Sequence, residues 1–373
     1  MKLFPSQEIG SLAKPPWLVK ATRGQRPSEA DLAEIDRWAV RLGIEGTAEL
    51  KALLASENPD RERVRDWGAL FAIRLQEVAG LDVIYDGEAR RVEMYEHSVR
   101  RIAGFQFYGH VRSFDNKYYR KAAVVDRVRL MEPLHLDELR YVKSVARRPV
   151  KIPITGPYTL ADWSFNEYYL KAVDPAVHDF RSRTYMAKRA FTLDLAREVL
   201  QPTLQALVAA GADWIQIDEP AAATKPEEVP ILVEAFNEAV RDVKAKLSIH
   251  LCYSDYRLLY PDLLQMRVDH LACEFKNTGD FNVVQVFGEQ GDPREMGLGV
   301  LDVHSDVIES PEEIKEKLLA AARVLGAEKI WANPDCGLRT RTWDVAFAKL
   351  QNLVEGARLA REVIASQGRI PRT

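Results

Sequence analysis

Eight short apolar runs, each stopping at a polar or turn residue, punctuate the chain: the one ending Glu8-Ile9-Gly10-Ser11, then Leu81 to Glu88, Val150 to Gly156, Trp214 to Glu219, Leu247 to Tyr253, His270 to Phe275, Met296 to Asp302 and Lys329 to Asp335. Between most of them lie stretches with helical spacing, among them Asp31 to Leu42, Glu62 to Val78, Arg181 to Ala210, Pro230 to Lys246 and Pro311 to Leu325. Strands alternating with helices predict a parallel sheet in an α/β fold, and eight strands predict a closed (β/α)8 TIM barrel. The spacer from roughly Ala103 to Arg148 is too long for a simple crossover. Within it, Gly104 to Gly109 and Phe114 to Lys117 predict a hairpin with its turn, and Asp137 to Ala146 a helix. Such an insertion after the second strand would project over the mouth of the barrel. No internal repeat, low-complexity tract or linker divides the chain, so residues 1–373 read as a single catalytic barrel domain.

Composition narrows the partners. With 373 residues, 47% of them hydrophobic, the chain has enough material for one large core. Lys and Arg total 52 against 55 Asp and Glu, and no stretch gathers the basic residues into a stripe, which argues against nucleic acid. No apolar run approaches the roughly 18 residues of a membrane span. The three cysteines, Cys252, Cys273 and Cys336, lack framework spacing, and the amino terminus has no signal-peptide core, so a reducing cytoplasm is expected. Small molecules or proteins remain the natural partners.

The reactive-looking residues gather at the carboxyl ends of the predicted strands, where barrel enzymes place their sites. His250-Leu-Cys252, Glu274 and Cys336 supply an imidazole, a carboxylate and two thiols. This is a donor set for zinc, whereas calcium or magnesium would take oxygen alone. His250 and Cys252 are two apart, so on a strand their side chains share a face. Cys336 follows Asn333-Pro334-Asp335 and precedes Gly337, a turn suited to exposing a thiolate. Cys273 competes with Glu274, because adjacent strand residues face opposite ways; the strand pattern leaves that choice open.

The segments Ile9-Gly10-Ser11, Asp86-Gly87-Glu88-Ala89, Ile154-Thr155-Gly156-Pro157 with Trp163-Ser164-Phe165, Gln216-Ile217-Asp218-Glu219-Pro220, His250 to Ser254, Asp302 to Ser305 and Asn333 to Gly337 occur in order along the chain. In this the sequence resembles the carboxy-terminal catalytic barrel of the cobalamin-independent methionine synthase family. The resemblance implies a zinc-dependent methyltransferase that moves a methyl group onto the thiol of L-homocysteine. It implies zinc ligands His250, Cys252, Glu274 and Cys336, choosing Glu274 over Cys273. Ile9 and Ser11 are implied to hold the homocysteine carboxylate, chiefly through backbone, and Glu88 and Asp218 its ammonium. His304 is implied to be the proton donor or acceptor, and Trp163 the surface on which the methyl donor stacks.

The chain also departs from that family. The amino-terminal barrel-like half of full-length members is expected to be absent. Where the family carries a Ser-Arg-Cys-Val segment that helps hold folate, this chain reads Phe114-Asp-Asn-Lys-Tyr-Tyr-Arg-Lys121, and the family's acidic residue near the pterin falls at Thr224. The homocysteine half is thus retained and the donor half altered. Two donors stand side by side, methyltetrahydrofolate and methylcobalamin or a methylated corrinoid protein, the latter bringing in an accessory protein as a possible partner. Rival readings are a related zinc-dependent alkyl transferase acting on coenzyme M and a non-catalytic homocysteine- or zinc-binding protein.

Overall fold

The computed structural model describes residues 2–112, 118–222, 224–252, 255–276 and 283–367. Its strands are β1 (Ile102–Arg112), β2 (Tyr118–Leu130), β3 (Ile152–Thr155), β4 (Phe165–Asn166), β5 (Trp214–Asp218), β6 (Lys246–Leu251), β7 (His270–Glu274), β8 (Glu295–Leu301) and β9 (Ile330–Pro334). Six of them form one parallel sheet in the order β3-β5-β6-β7-β8-β9. Apart from the first residues of β6 and β8 and Trp331, these strands are buried along their whole length, which is why they read as unbroken apolar runs.

Two short segments join the edges of this sheet. Parallel bridges link Ala332 of β9 to Ser6, Gln7 to Val83, and Ile84 to Val150 just before β3. Backbone bonds carry the ring through these points: Gln7 N–H to Ala332 O at 3.0 Å, Val83 N–H to Ser6 O at 3.2 Å, and Lys151 N–H to Ile84 O at 3.1 Å. The predicted eight-membered ring is therefore present, with its first two members reduced from strands to bridges. The cause is local. Pro5 has no N–H to give, and the Asp82 carboxylate accepts the Ser6 N–H at 2.9 Å, replacing a ladder partner.

Helices pack around the ring. Arg61–Ala79 and Pro311–Leu325 match their predicted counterparts closely. The stretch expected as one helix from Arg181 to Ala210 is helical throughout, with a π segment at Ala196–Leu200 between two α-helical parts. The helix expected from Pro230 to Lys246 ends instead at Ala239, and Lys246 opens β6. Asp242, in the left-handed region at φ 65°, breaks the helical path between them. Edge-to-face packing of Trp17 on Phe71 joins two amino-terminal helices, and that of Trp38 on Trp343 ties a third to the last helix, Trp343–Gln367.

The insertion after the second ring segment is a hairpin of β1 and β2, longer than the sequence predicts, followed by the helix Leu136–Val145. β4 extends it in parallel to β2. The predicted turn at Phe114 to Lys117 lies outside the described residues.

Candidate metal and amino-acid site

At the carboxyl end of the ring lies an open cavity of about 960 Å³, counting its mouth. Ile9, Ser11, Glu88, Trp163, Asp218, His250, Cys252, His304 and Cys336 all line it. Nine of the ten residues singled out from sequence thus meet in one place, although they are spread from position 9 to position 336. Glu274, the tenth, sits buried at the end of β7.

His250, Cys252 and Cys336 form a cluster whose donor atoms all lie within 4.8 Å of one another. His250 stands in β6 and Cys252 just after it; the Tyr256 hydroxyl donates to Leu251 O and accepts the Glu274 N–H, each at 2.7 Å, locking the ends of β6 and β7 together. Cys336 follows β9. The preceding Asp335 accepts the backbone N–H groups of Phe275 and Lys276 at 2.8 Å each, fixing that turn against the end of β7. Gly337 lets the turn close: a Cβ there would stand 2.7 Å from the Ser11 carbonyl oxygen and 2.8 Å from its nitrogen, so only glycine allows Ser11 this near to Cys336.

The donor chemistry fits a zinc ion. His250 Nδ1 lies 3.1 Å from Ala272 O, which places a proton on Nδ1 and leaves Nε2 as the nitrogen available to a metal. Nε2 is buried and has the Cys336 thiol as its neighbour, a pairing that a metal shared by the two would replace. A hydrogen bond from Cys252, aided by the charge of His250, holds the Cys336 thiol well below the ordinary cysteine range against the opposing effect of burial. The same contact, with burial, pushes Cys252 well above it. The Cys336 hydrogen bond and charge lift His250 to about 9 against burial, so two thiols and an imidazole hold protons that a cation bound between them would displace.

Glu274 is not part of the mutually close triad, although its charge reaches Cys252. Its neighbour Cys273 packs in the hydrophobic core and its thiol is raised by burial, so strand alternation turns Cys273 away from the cavity. A second cluster, His97, His135 and Glu138, also has close donor atoms. Glu138 there is engaged by Arg91 at 2.9 Å, and a guanidinium already in place leaves a cation no charge to balance.

The other walls divide by role. Asp218 ends β5; burial, with the nearby Glu88 charge, lifts its carboxyl to about 7. Glu219 is also lifted to about 7 by burial, but it faces away and accepts the N–H groups of Tyr158 and Thr159 at 3.0 and 2.7 Å. It caps the helix Pro157–Asp162 rather than serving the cavity. Glu88 reaches in from a turn in which Gly87 and Glu88 both have positive φ, and the Glu88 N–H donates to Asp86 Oδ1 at 2.8 Å. A Cβ at Gly10 would meet Glu88 Oε1 at 3.1 Å, so the Ile9-Gly10-Ser11 segment runs directly beneath that carboxylate.

Trp163 follows the capped helix, and its ring stacks on Tyr119 at 5.4 Å with an interplanar angle of 28°. Tyr119 and Tyr118 come from β2, so the hairpin does wall the mouth. His304 stands after β8 with its N–H held by Asp302 Oδ1 at 2.8 Å. Thr224 turns its hydroxyl onto Ala221 O at 2.8 Å and does not line the cavity. Sequence reasoning missed Glu93, Met94 and Arg339 as lining residues. Arg339, three positions after Cys336, had a positional signal; Glu93 and Met94 had none, because a short helix carries them in.

A sequence model described as the catalytic domain of the cobalamin-independent synthase matches residues 45–359. The chain belongs to that family. Among its relatives, a methionine synthase of Thermococcus kodakarensis is 37% identical over 372 residues, covering 99% of this chain and 97% of the relative. One from Pyrococcus horikoshii is 38% identical, covering 99% and 96%, and one from Saccharolobus solfataricus 36%, covering 99% and 98%. The chain thus spans nearly the full length of each of these relatives. Among solved structures, a B12-independent methionine synthase of Shewanella sp. W3-18-1 in complex with selenomethionine aligns with a TM-score of 0.74 at 20% identity, covering 98% of this chain and 99% of that one. That likeness establishes the shared fold. No helix among the described residues is long and apolar enough to cross a membrane.

Proposed function

We infer that the chain is a homocysteine S-methyltransferase that forms methionine, as expected of the family to which it belongs. The observation that carries the reading is the meeting, in one cavity, of a His250–Cys252–Cys336 donor triad with two carboxylates, Glu88 and Asp218. A free thiol with a pKa near roughly 8.5 is mostly protonated at neutral pH, and its thiolate is the competent nucleophile. A zinc ion held by His250, Cys252 and Cys336, with Glu274 as the fourth donor from the end of β7, would supply the charge that keeps the substrate thiol deprotonated.

The chain's own residues do the rest. Glu88 and Asp218 face the ammonium of the amino acid, while the backbone of Ile9 to Ser11 receives its carboxylate. Fixing both ends orients the sulfur toward the mouth, where the donor's methyl group must arrive in line. Trp163 and Tyr119 offer the donor an aromatic wall. His304 stands on the donor side as the proton source for a leaving amine, needed if the donor is a tertiary amine such as methyltetrahydrofolate and superfluous if it is methylcobalamin. Two carboxylates would repel the sulfonate of coenzyme M, which disfavours that alkyl acceptor.

The test is methionine formation by purified protein of verified zinc content, given homocysteine with methyltetrahydrofolate, methylcobalamin or a methylated corrinoid protein in parallel. Turnover is expected with at least one donor, and its identity names the donor class. Absence of both turnover and homocysteine binding would remove the reading. Binding without turnover would favour a non-catalytic sensor.

A further inference from the structure

The interior of the ring holds a charged residue with no place in the chemistry above. Lys151, immediately before β3, is only 1% exposed, and burying a lone ammonium costs several kcal/mol unless it is fully engaged. Its Nζ lies 2.9 Å from Gln7 Oε1, 2.9 Å from Glu8 O and 2.5 Å from Gln216 Oε1. An ammonium has three protons to donate and accepts nothing, so these three acceptors saturate it.

That one-way character fixes the groups around it. Because Lys151 only donates, the oxygen of the Gln216 amide must face it and the amide NH₂ must face the other way. The NH₂ protons then reach Asp218 Oδ1 at 2.7 Å and Ile9 O at 2.8 Å. Gln7 is oriented by the same rule: its NH₂ turns to His270 Nε2 at 3.2 Å, away from the cavity. The Gln216 branch therefore ends on two segments of the amino-acid site, the Asp218 carboxylate and the Ile9-Gly10-Ser11 backbone.

We propose that Lys151 is a positioning residue for substrate recognition, acting through Gln216 to orient the Asp218 carboxylate against the ammonium of the amino-acid substrate. This rests on the reading of Asp218 as an ammonium-binding group. Without the buried charge, the Gln216 oxygen loses its donor, and only the two acceptors Asp218 Oδ1 and Ile9 O still hold the amide in place. Neither Lys151 nor Gln216 lines the cavity, so any effect on substrate travels through Asp218 and Ile9.

The experiment compares zinc-loaded wild type, Lys151→Met and Gln216→Leu in calorimetric binding of homocysteine and of 4-mercaptobutanoate, the same thiol acid without its amino group. Each variant is expected to bind homocysteine about 10- to 100-fold more weakly, the range for a lost hydrogen bond to a charged group, and 4-mercaptobutanoate with a clearly smaller loss, since only the Ile9 contact bears on its carboxylate. The double variant should bind homocysteine no more weakly than the worse single one, because both substitutions cut the same relay. Equal losses for the two thiols, or undiminished homocysteine affinity in both variants, overturn the relay while leaving the role of Asp218 intact. Wild type that does not distinguish the two thiols overturns the ammonium role itself. Should Lys151→Met fail to fold, Gln216→Leu alone carries the same comparison.

Discussion

Asp218 and Glu219 are adjacent carboxylates, equally buried in chemistry and motif, yet only one serves the cavity. Asp218 lines it, while both oxygens of Glu219 are spent on helix N–H groups. Replacing Asp218 by Asn should leave zinc content unchanged and weaken homocysteine binding about tenfold or more, since an oriented charge is lost but no metal donor. Calorimetry alongside metal analysis would check this. Cys336→Ser should lose zinc and activity together; full zinc occupancy in that variant would sink the ligand assignment. The two-residue spacing of His250 and Cys252 was legible from strand periodicity alone. That Cys273 turns inward to the core while its neighbour Glu274 ends the strand beside the cluster was not, because alternation gives opposite faces without saying which face is which.

Among the elements, the short helix Pro157–Asp162 links the Asp218 side of the cavity to the Trp163 side. Its amino terminus is capped by Glu219, and Trp163 follows its last residue. Glu219→Ala should cost about 1 kcal/mol of stability, as the loss of a helix cap does, and should also raise the donor KM by shifting Trp163. Thermal melting and donor titration at saturating homocysteine measure the two effects. Trp163→Ala, by contrast, should raise the donor KM while homocysteine affinity and zinc stay at wild-type values. The hairpin was legible as an insertion too long for a crossover. Its place over the mouth, with Tyr119 stacked on Trp163, depends on packing that no local pattern encodes. The helix that ends at Ala239 instead of Lys246 shows the converse limit: apolar spacing continued past the point where a left-handed residue stopped it.

For the whole molecule, the ring closes through bridges at Ser6, Gln7, Val83 and Ile84, and the polar network beneath the cavity spans those joints. Acid sensitivity should arise elsewhere, at the stacked pair His97 and His135 beside Glu138. Burial, with the charge of Arg91, lowers His135 to about 4 from its ordinary value of 6.5. Between those values the unfolded chain takes up a proton that the folded protein refuses. Stability is therefore unaffected by this group above about pH 6.5 and falls as pH drops toward about 4, by roughly 3 kcal/mol in all. His135→Asn, which tolerates the left-handed backbone found there at φ 59°, should flatten that limb of a stability-against-pH curve measured by urea unfolding. An unchanged slope would assign the acid loss to other groups.

The sequence by itself determined the alternation of strands and helices, the ring of eight segments and the donor types for a metal, because burial of strands and the chemistry of thiols and imidazoles are written in residue type and short-range spacing. Only the tertiary structure decided which atoms meet. The meeting of His250 with Cys336, the cap that Glu219 supplies, and the relay from Lys151 to Asp218 depend on residues as much as 207 positions apart, Ile9 and Gln216, brought within hydrogen-bond reach by the parallel register of β3, β5, β6 and β7 and the amino-terminal segment bridged to them. A hydrogen bond is won or lost within a fraction of an ångström, a scale that side-chain periodicity along a single strand cannot resolve.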